Sequence, residues 1–179
     1  QQELAAKSEG VKRLAEGFAR AEKEAVPEGF VQVLKGKRIR EFMDSLSEEA
    51  QKEVLVFLKC PQERNERSLE GAVRLETGML ARGVRIRCLY EAACLEDHLI
   101  AAQVARLRSE GEKARVVRSV PMNMMVMDDR AALFSLTSEK EDVTVFVVRH
   151  PALVSALRAS FEFLWQQGRD VARGLKKKR

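Results

Sequence analysis

Hydrophobic residues recur with two different periods along this chain, and the change of period divides it in two. Residues 1–26 carry apolar side chains at heptad spacing, with charged residues between them. These positions are Leu4, Val11, Leu14, Phe18, Ala21 and Ala25. So narrow an apolar stripe on a helix of this length needs a partner in water, which favours a dimeric coiled coil. A helix that lies on its own domain is the alternative.

From Phe30 onward, short apolar runs alternate with amphipathic stretches. Strands are predicted at 30–34, 53–60, 84–90, 114–120, 122–127, 131–137 and 143–149, and helices at 37–51, 68–82, 94–110 and from Pro151. This alternation predicts an α/β domain with a mixed, mostly parallel sheet and helices on both faces. The late run of strands predicts hairpins at one side. The predicted organisation is a coiled-coil helix at 1–26, an α/β domain at 27–168 and a basic tail at 169–179.

Composition narrows the class of protein. The 179 residues are 45% hydrophobic and 33% charged, as in globular proteins, and contain no uncharged apolar run long enough for a membrane span. The N-terminal stretch lacks the apolar core of a signal peptide, so we expect a cytoplasmic protein without membrane contact. The net charge of +5 permits contact with nucleic acid, and the Lys176–Arg179 tail is either a solvated end or a weak phosphate contact.

The three cysteines are Cys60, Cys88 and Cys94. Their odd number and wide spacing argue against a disulfide framework and against a zinc site. We therefore expect Cys88 and Cys94 to be small core residues in a reducing compartment.

The usual catalytic motifs are missing from the sequence. It has neither a glycine-rich phosphate loop nor a Gly-x-Ser-x-Gly elbow. Of the two histidines, His98 follows Glu96 and Asp97 and is expected at the surface, whereas His150 precedes Pro151 and is expected to end a strand. Neither has the partner spacing of a metal site, so no metal and no cofactor are expected.

The segment 119–138, SVPMNMMVMDDRAALFSLTS, holds four of the six methionines around an Asp-rich turn. Together with VTVFVVRHPALVSALRASFEFLWQQG further along, it resembles the phospholipase D-like fold. More narrowly, it is similar to the effector domain of TrmB-like helix-turn-helix transcription regulators, in which a coiled-coil linker joins a winged helix to a sensor domain. The resemblance covers residues 1–168 and implies a half-domain that closes its site against a second copy.

Catalytic phospholipase D proteins carry a His-x-Lys-x-x-x-x-Asp motif, in which histidine attacks phosphorus and lysine neutralises the phosphate. Aligning the motif on Asp128 places Pro121 at the histidine and Asn123 at the lysine. Aligning it on Asp129 places Met122 and Met124 there. Without a nucleophile and a cation the rate enhancement is lost, so the resemblance implies a catalytically dead site with no catalytic residues. Asp128 itself is explained by the preference of hairpin turns for aspartate.

A ligand-binding role remains for this hairpin. On a strand, Pro121, Asn123, Met125 and Met127 would share one face, and thioethers adapt to varied apolar shapes. Core packing on both faces of the strand is the alternative. The predicted ligand-binding residues are Pro121, Met122, Asn123, Met125, Met127, Ser135 and Glu91.

These features predict a ligand-sensing and dimerisation domain of a prokaryotic transcription regulator. It would be a homodimer that binds an unknown small-molecule effector, and DNA would be bound by a domain outside this sequence. One alternative is a phosphodiesterase or nuclease with an unrecognised site. The other is a protein-interaction scaffold without a ligand.

Overall fold

The computed structural model describes residues 30–60, 66–135 and 143–171. The predicted coiled-coil helix, with Leu4, Val11, Leu14, Phe18 and Ala21, and most of the basic tail lie outside these residues. The strands are β1 Val31–Lys35, β2 Glu53–Leu58, β3 Arg85–Glu91, β4 Lys113–Val117, β5 Asn123–Met127, β6 Ala131–Ser135, β7 Thr144–Val148 and β8 Arg169–Asp170. The helices are α1 Lys37–Glu49, α2 Glu66–Ala81, α3 His98–Ser109 and α4 Pro151–Gln167, with a 3-10 helix at Ala92–Glu96.

The strands form one mixed sheet in the order β1-β7-β6-β5-β2-β3-β4-β8. Strand β2 is parallel to β3, and β3 is parallel to β4. The other five pairings in the described sheet are antiparallel. The prediction of a mostly parallel sheet is therefore wrong in this detail, because β5, β6 and β7 follow one another antiparallel beside β2 and β1 joins their far side.

Helices cover both faces of the sheet, as predicted. Helices α1, α2 and α3 pack on one face, here called the three-helix face, through residues such as Leu46, Met79 and Val104. Helix α4 packs on the other, the single-helix face, through Val154 and Phe161. The core continues past residue 168, because β8 pairs with β4 and Val171 is buried.

The strand ends lie along two opposite sides of the sheet, and both sides matter for the site. We call these two sides edges, as distinct from the outermost strands. Strands β1, β2, β3, β4 and β6 end at one edge, here called the carboxyl edge, where β5 and β7 begin. At the opposite edge, here called the turn edge, β2 and β3 begin and the β5–β6 turn lies. The carboxyl edge is where ligands bind in open α/β sheets.

Two of the three cysteines differ from their predicted state, whereas Cys88 is a core residue as predicted. Cys60 and Cys94 form a disulfide, with Cα atoms 5.3 Å apart. Cys88 is buried and takes part in no disulfide within the described residues. Sequence spacing missed this bond because the carboxyl ends of two adjacent parallel strands, 34 residues apart in sequence, bring the two thiols together.

No described helix is both long enough and apolar enough to cross a membrane. Within the described residues, acidic, histidine and cysteine side chains also form no cluster of three suited to a metal ion.

Candidate functional site

A tight turn joins β5 to β6 at the turn edge. Asp128 and Asp129 have φ values of 51° and 57°, and the backbone N–H of Arg130 donates to the Met127 carbonyl at 2.9 Å. Positive φ at both central residues is the hallmark of a type I′ turn, in which Asp is among the tolerated residues. The predicted hairpin is therefore present.

The Asp128 carboxylate does more than the turn requires. It accepts hydrogen bonds from the backbone N–H groups of Gln51, Lys52 and Glu53, at 2.7, 2.8 and 2.8 Å. Burial opposes its ionisation, but these three bonds outweigh that effect and leave the pKa of Asp128 below its usual range. Asp128 thus fixes the start of β2 across 75 or more residues of sequence.

At the carboxyl edge, Asn123 holds the other end of β2. Its Oδ1 accepts from the backbone N–H of Lys59 at 2.9 Å, just beyond the last residue of the strand. Asn123 is also the direct cross-strand partner of Ser135. Strand β5 therefore binds both ends of β2 through side chains, with an amide at the position that the resemblance assigns to the catalytic lysine.

A segment from 118 to 122, here called the crossover, runs from β4 to β5 past the ends of β3 and β2. The Lys59 ammonium donates to the Val120 carbonyl at 3.0 Å, and Glu91 Oε2 accepts from the Val120 N–H at 3.3 Å. Val120 itself is buried against the single-helix face. Lys59 was missed by sequence reasoning, since nothing in a buried strand pattern signals that its last side chain will hold a distant loop.

The predicted ligand-binding residues do not form one surface. Asn123, Ser135 and Glu91 lie at the carboxyl edge, with Pro121 exposed beside them in the crossover. Met125 and Met127 pack on the three-helix face, whereas Met122 packs on the single-helix face. Met127 lies at the turn edge and lines a depression of about 100 Å³ with Arg130 and Arg149. Strand β5 is therefore packed on both faces, as in the core alternative.

The two histidines lie at opposite ends of the strands of the sheet. His98 is the first residue of α3, which Asp97 caps at the carboxyl edge. His150 precedes α4 at the turn edge, where its ring lies 5.1 Å from that of Phe30. Within one chain, the topology therefore separates the two histidines.

An ionic network, also missed from the sequence, lies between the turn edge and α4. Glu53 accepts from Arg87 at 3.0 Å and from Arg158 at 2.9 Å. Arg87 also donates to Glu162 at 2.9 Å, and Arg158 pairs with Asp129. Burial opposes the ionisation of Glu53, but the bonds from Arg158 and Arg87 outweigh it and lower its pKa.

A second polar cluster lies under the three-helix face, and the pKa of its buried acid is shifted in the opposite direction. The Tyr90 hydroxyl donates to Glu112 at 3.0 Å, and Glu112 also shares a hydrogen bond with Glu76. Burial raises the pKa of Glu112 and raises that of Tyr90 well above its ordinary value. Glu112 is buried and Glu76 is half-buried, and two adjacent carboxyl groups disfavour the ionisation of both.

No protein-family model and no curated protein matches the chain. Solved structures do match the chain. TrmBL2, described as an archaeal chromatin protein with a novel mode of DNA binding, superposes with a TM-score of 0.60 and 21% identity over 94% of this chain. The chain spans 64% of the length of that protein.

Two phospholipase D-like structures also match. Nuc from Salmonella typhimurium, a phospholipase D family member, has a TM-score of 0.63 at 15% identity, covering 78% of this chain and 96% of Nuc. NucT from Helicobacter pylori has a TM-score of 0.65 at 7% identity, covering 78% of this chain and 98% of NucT. The fold is therefore phospholipase D-like, as the sequence resemblance implied.

Proposed function

We propose that this chain is the ligand-sensing and dimerisation domain of a transcription regulator, without catalytic activity. It would bind DNA through a domain outside this sequence and bind a small-molecule effector at the carboxyl edge. The observation that carries the proposal is the hydrogen bond that Asn123 accepts from the backbone of Lys59. At the position of the catalytic lysine, its amide oxygen holds the backbone of β2, and Pro121 stands where the nucleophile would be.

The polar groups around this position support a binding role over a reaction. Lys59 and Glu91 are the two ionisable side chains that hold Val120, and both bond to its backbone. The ammonium of Lys59 thus donates to a peptide carbonyl and the carboxylate of Glu91 accepts from a peptide N–H, so both side chains position the crossover. The superposition with TrmBL2, a DNA-binding chromatin protein, supports a role connected with DNA.

An effector would regulate only by binding two states of the dimer with different affinity. The Asn123–Ser135 pair offers hydrogen-bonding groups, and Met125 offers an adaptable apolar neighbour. Dimerisation through the heptad residues 1–26 would pass the change to the DNA-binding domains.

A cytoplasmic location is part of the proposal, since the regulator must reach DNA. The Cys60–Cys94 disulfide is uncommon in reducing compartments. Thiol labelling of the chain isolated from cells under acid quench tests this placement, and a fully oxidised pair would contradict it.

The deciding experiment is a thermal-shift screen of metabolites on the purified chain, followed by mass spectrometry of each hit. We expect at least one metabolite to raise the melting temperature, to stay chemically unchanged, and to lose its effect with Ser135→Ala. The matched control is Ser155→Ala on the exposed side of α4, which should keep the effect.

Three outcomes would contradict the proposal. Hydrolysis of a chromogenic phosphodiester that is lost in His98→Ala or His150→Ala would identify an enzyme. Dimers in sedimentation without any ligand hit would identify a scaffold. A monomer at working concentration would remove the dimerisation role.

A further inference from the structure

Four basic residues are close in sequence where β1 ends and α1 begins. We call Lys35, Lys37, Arg38 and Arg40 the basic patch, and all four are exposed. The six residues 35–40 thus contain four of the 32 lysines and arginines of the chain. Gly36 sits between them with open space around the position of a Cβ atom, so the backbone there is accessible from outside.

The charges of the basic patch are not neutralised by the described residues. No ion pair within the described ranges joins any of the four to a carboxylate, although Glu41 and Asp44 follow on the same helix. Arginines elsewhere behave differently, since Arg87 and Arg158 are held between carboxylates. The first turn of α1 also contains no acidic residue.

We infer that the basic patch contacts the phosphate backbone of duplex DNA, so that the sensor domain itself adds to DNA affinity. This inference rests on the proposed function, which brings DNA close to the domain. Exposed, unpaired cations bind phosphates by releasing counterions, a sequence-independent effect. The net charge of +5 agrees in sign with such a partner.

The dimensions of the patch limit the contact. Strand end and first helical turn together extend roughly 10 Å. Phosphates recur every ~3.4 Å of axis along one strand of DNA, so about two or three can be reached. The patch thus supplies non-specific affinity and leaves the choice of sequence to another domain.

The test is fluorescence anisotropy of the whole chain with two labelled 20-base-pair duplexes of unrelated sequence, at about 50 to 200 mM KCl. The quadruple variant Lys35→Gln, Lys37→Gln, Arg38→Gln, Arg40→Gln should reduce the slope of log K against log salt by about 2 to 3. Both duplexes should lose affinity equally, by about tenfold or more near 100 mM KCl.

The matched control removes the same charge from scattered exposed sites, with Arg74→Gln, Arg106→Gln, Lys113→Gln and Arg118→Gln. It should keep most of the slope. A third variant replaces the four basic residues of the tail, 176–179, with Gln. Circular dichroism melts confirm that each variant is folded.

Several results would overturn the inference. They are an unchanged slope in the patch variant, an equal loss in the scattered control, a loss confined to the tail variant, or binding to anionic lipid vesicles without binding to the duplex. If the wild-type chain binds neither duplex, the inference fails while effector sensing in the thermal-shift screen is unaffected. The two proposals can therefore fail separately.

Discussion

Two acids with little solvent exposure, Glu53 and Glu112, hold opposite protonation preferences. Glu53 is 7% exposed and Glu112 is 4% exposed. Glu53 lies between two guanidinium groups, so its pKa falls below the usual value in spite of burial. Glu112 lies beside a phenol and a second carboxyl group, so burial prevails and its pKa rises. The charge of such a carboxyl group therefore depends both on its neighbours and on how completely the protein encloses it.

The two clusters also respond to pH in opposite directions. A carboxyl group with a lowered pKa in the fold stabilises above its unfolded pKa and loses that contribution as pH falls through the folded value. Glu53, Asp128 and Glu162 belong to this class. Glu112, with a raised pKa, stabilises the fold when protonated and loses that contribution as pH rises from the unfolded pKa through the folded one.

The largest effect on stability is expected for Glu53→Gln, which removes the charge of the first acid. This change leaves Arg87 and Arg158 half-buried without their shared carboxylate, so we expect the free energy of unfolding to fall by about 3 kcal/mol. Urea denaturation at pH 7 measures it. Glu41→Gln, an exposed acid on α1, is the control and should change stability by less than about 0.5 kcal/mol. A loss as small as that of the control would refute the role given to Glu53.

Asp128→Ala should have the next largest effect, about 2 kcal/mol, because three backbone N–H groups at the start of β2 lose their acceptor. Asp128→Asn keeps one oxygen and tolerates positive φ, so it should cost about half as much. Chemical denaturation of both variants gives the ratio. Because Asn also tolerates positive φ, a cost near zero for Asn would mean that the turn conformation, not the acceptor, matters.

Glu112→Gln tests the second acid, whose pKa is raised in the fold. The amide keeps the shape of the acid and cannot ionise, so the variant should be more stable than wild type by about 1 kcal/mol at pH 8 to 9 and similar near pH 4.5. Melting temperatures across this range measure the difference. A variant that is less stable at high pH would show that the fold favours the ionised form of Glu112.

The smallest effect is expected for Glu162→Gln. This acid bonds to Arg87, but its side chain is 38% exposed, so the loss should be about 0.5 kcal/mol. The loss should also shrink in about 1 M salt, whereas that of Glu53→Gln should persist. Denaturation at two salt concentrations separates them.

The sequence predicted where the strands and helices lie better than it predicted how the strands pair in the sheet. Strand and helix positions follow from local periodicity, and Pro151 opens α4 as expected. The direction of strand pairing depends on where β1 and β5 insert into the sheet, and no local pattern encodes that. The resemblance supplied the fold that periodicity could not.

The candidate site was predicted only in part. Asn123 and Ser135 were expected to be neighbours and are cross-strand partners. Lys59 and the disulfide were missed because each depends on strand ends that are distant in sequence. Met122 and Met127 were grouped with Asn123, yet the crossover turns Met122 to the other face and strand length carries Met127 to the far edge.

The Cys60–Cys94 bond joins the two segments that hold the crossover. Cys60 follows Lys59 directly, and Cys94 lies one turn after Glu91. In the oxidised chain a covalent link sets the separation of the ammonium and the carboxylate on either side of the Val120 peptide. With both sulfurs reduced, only hydrogen bonds would hold the Val120 peptide, so we expect the crossover to be held less firmly in a reducing environment.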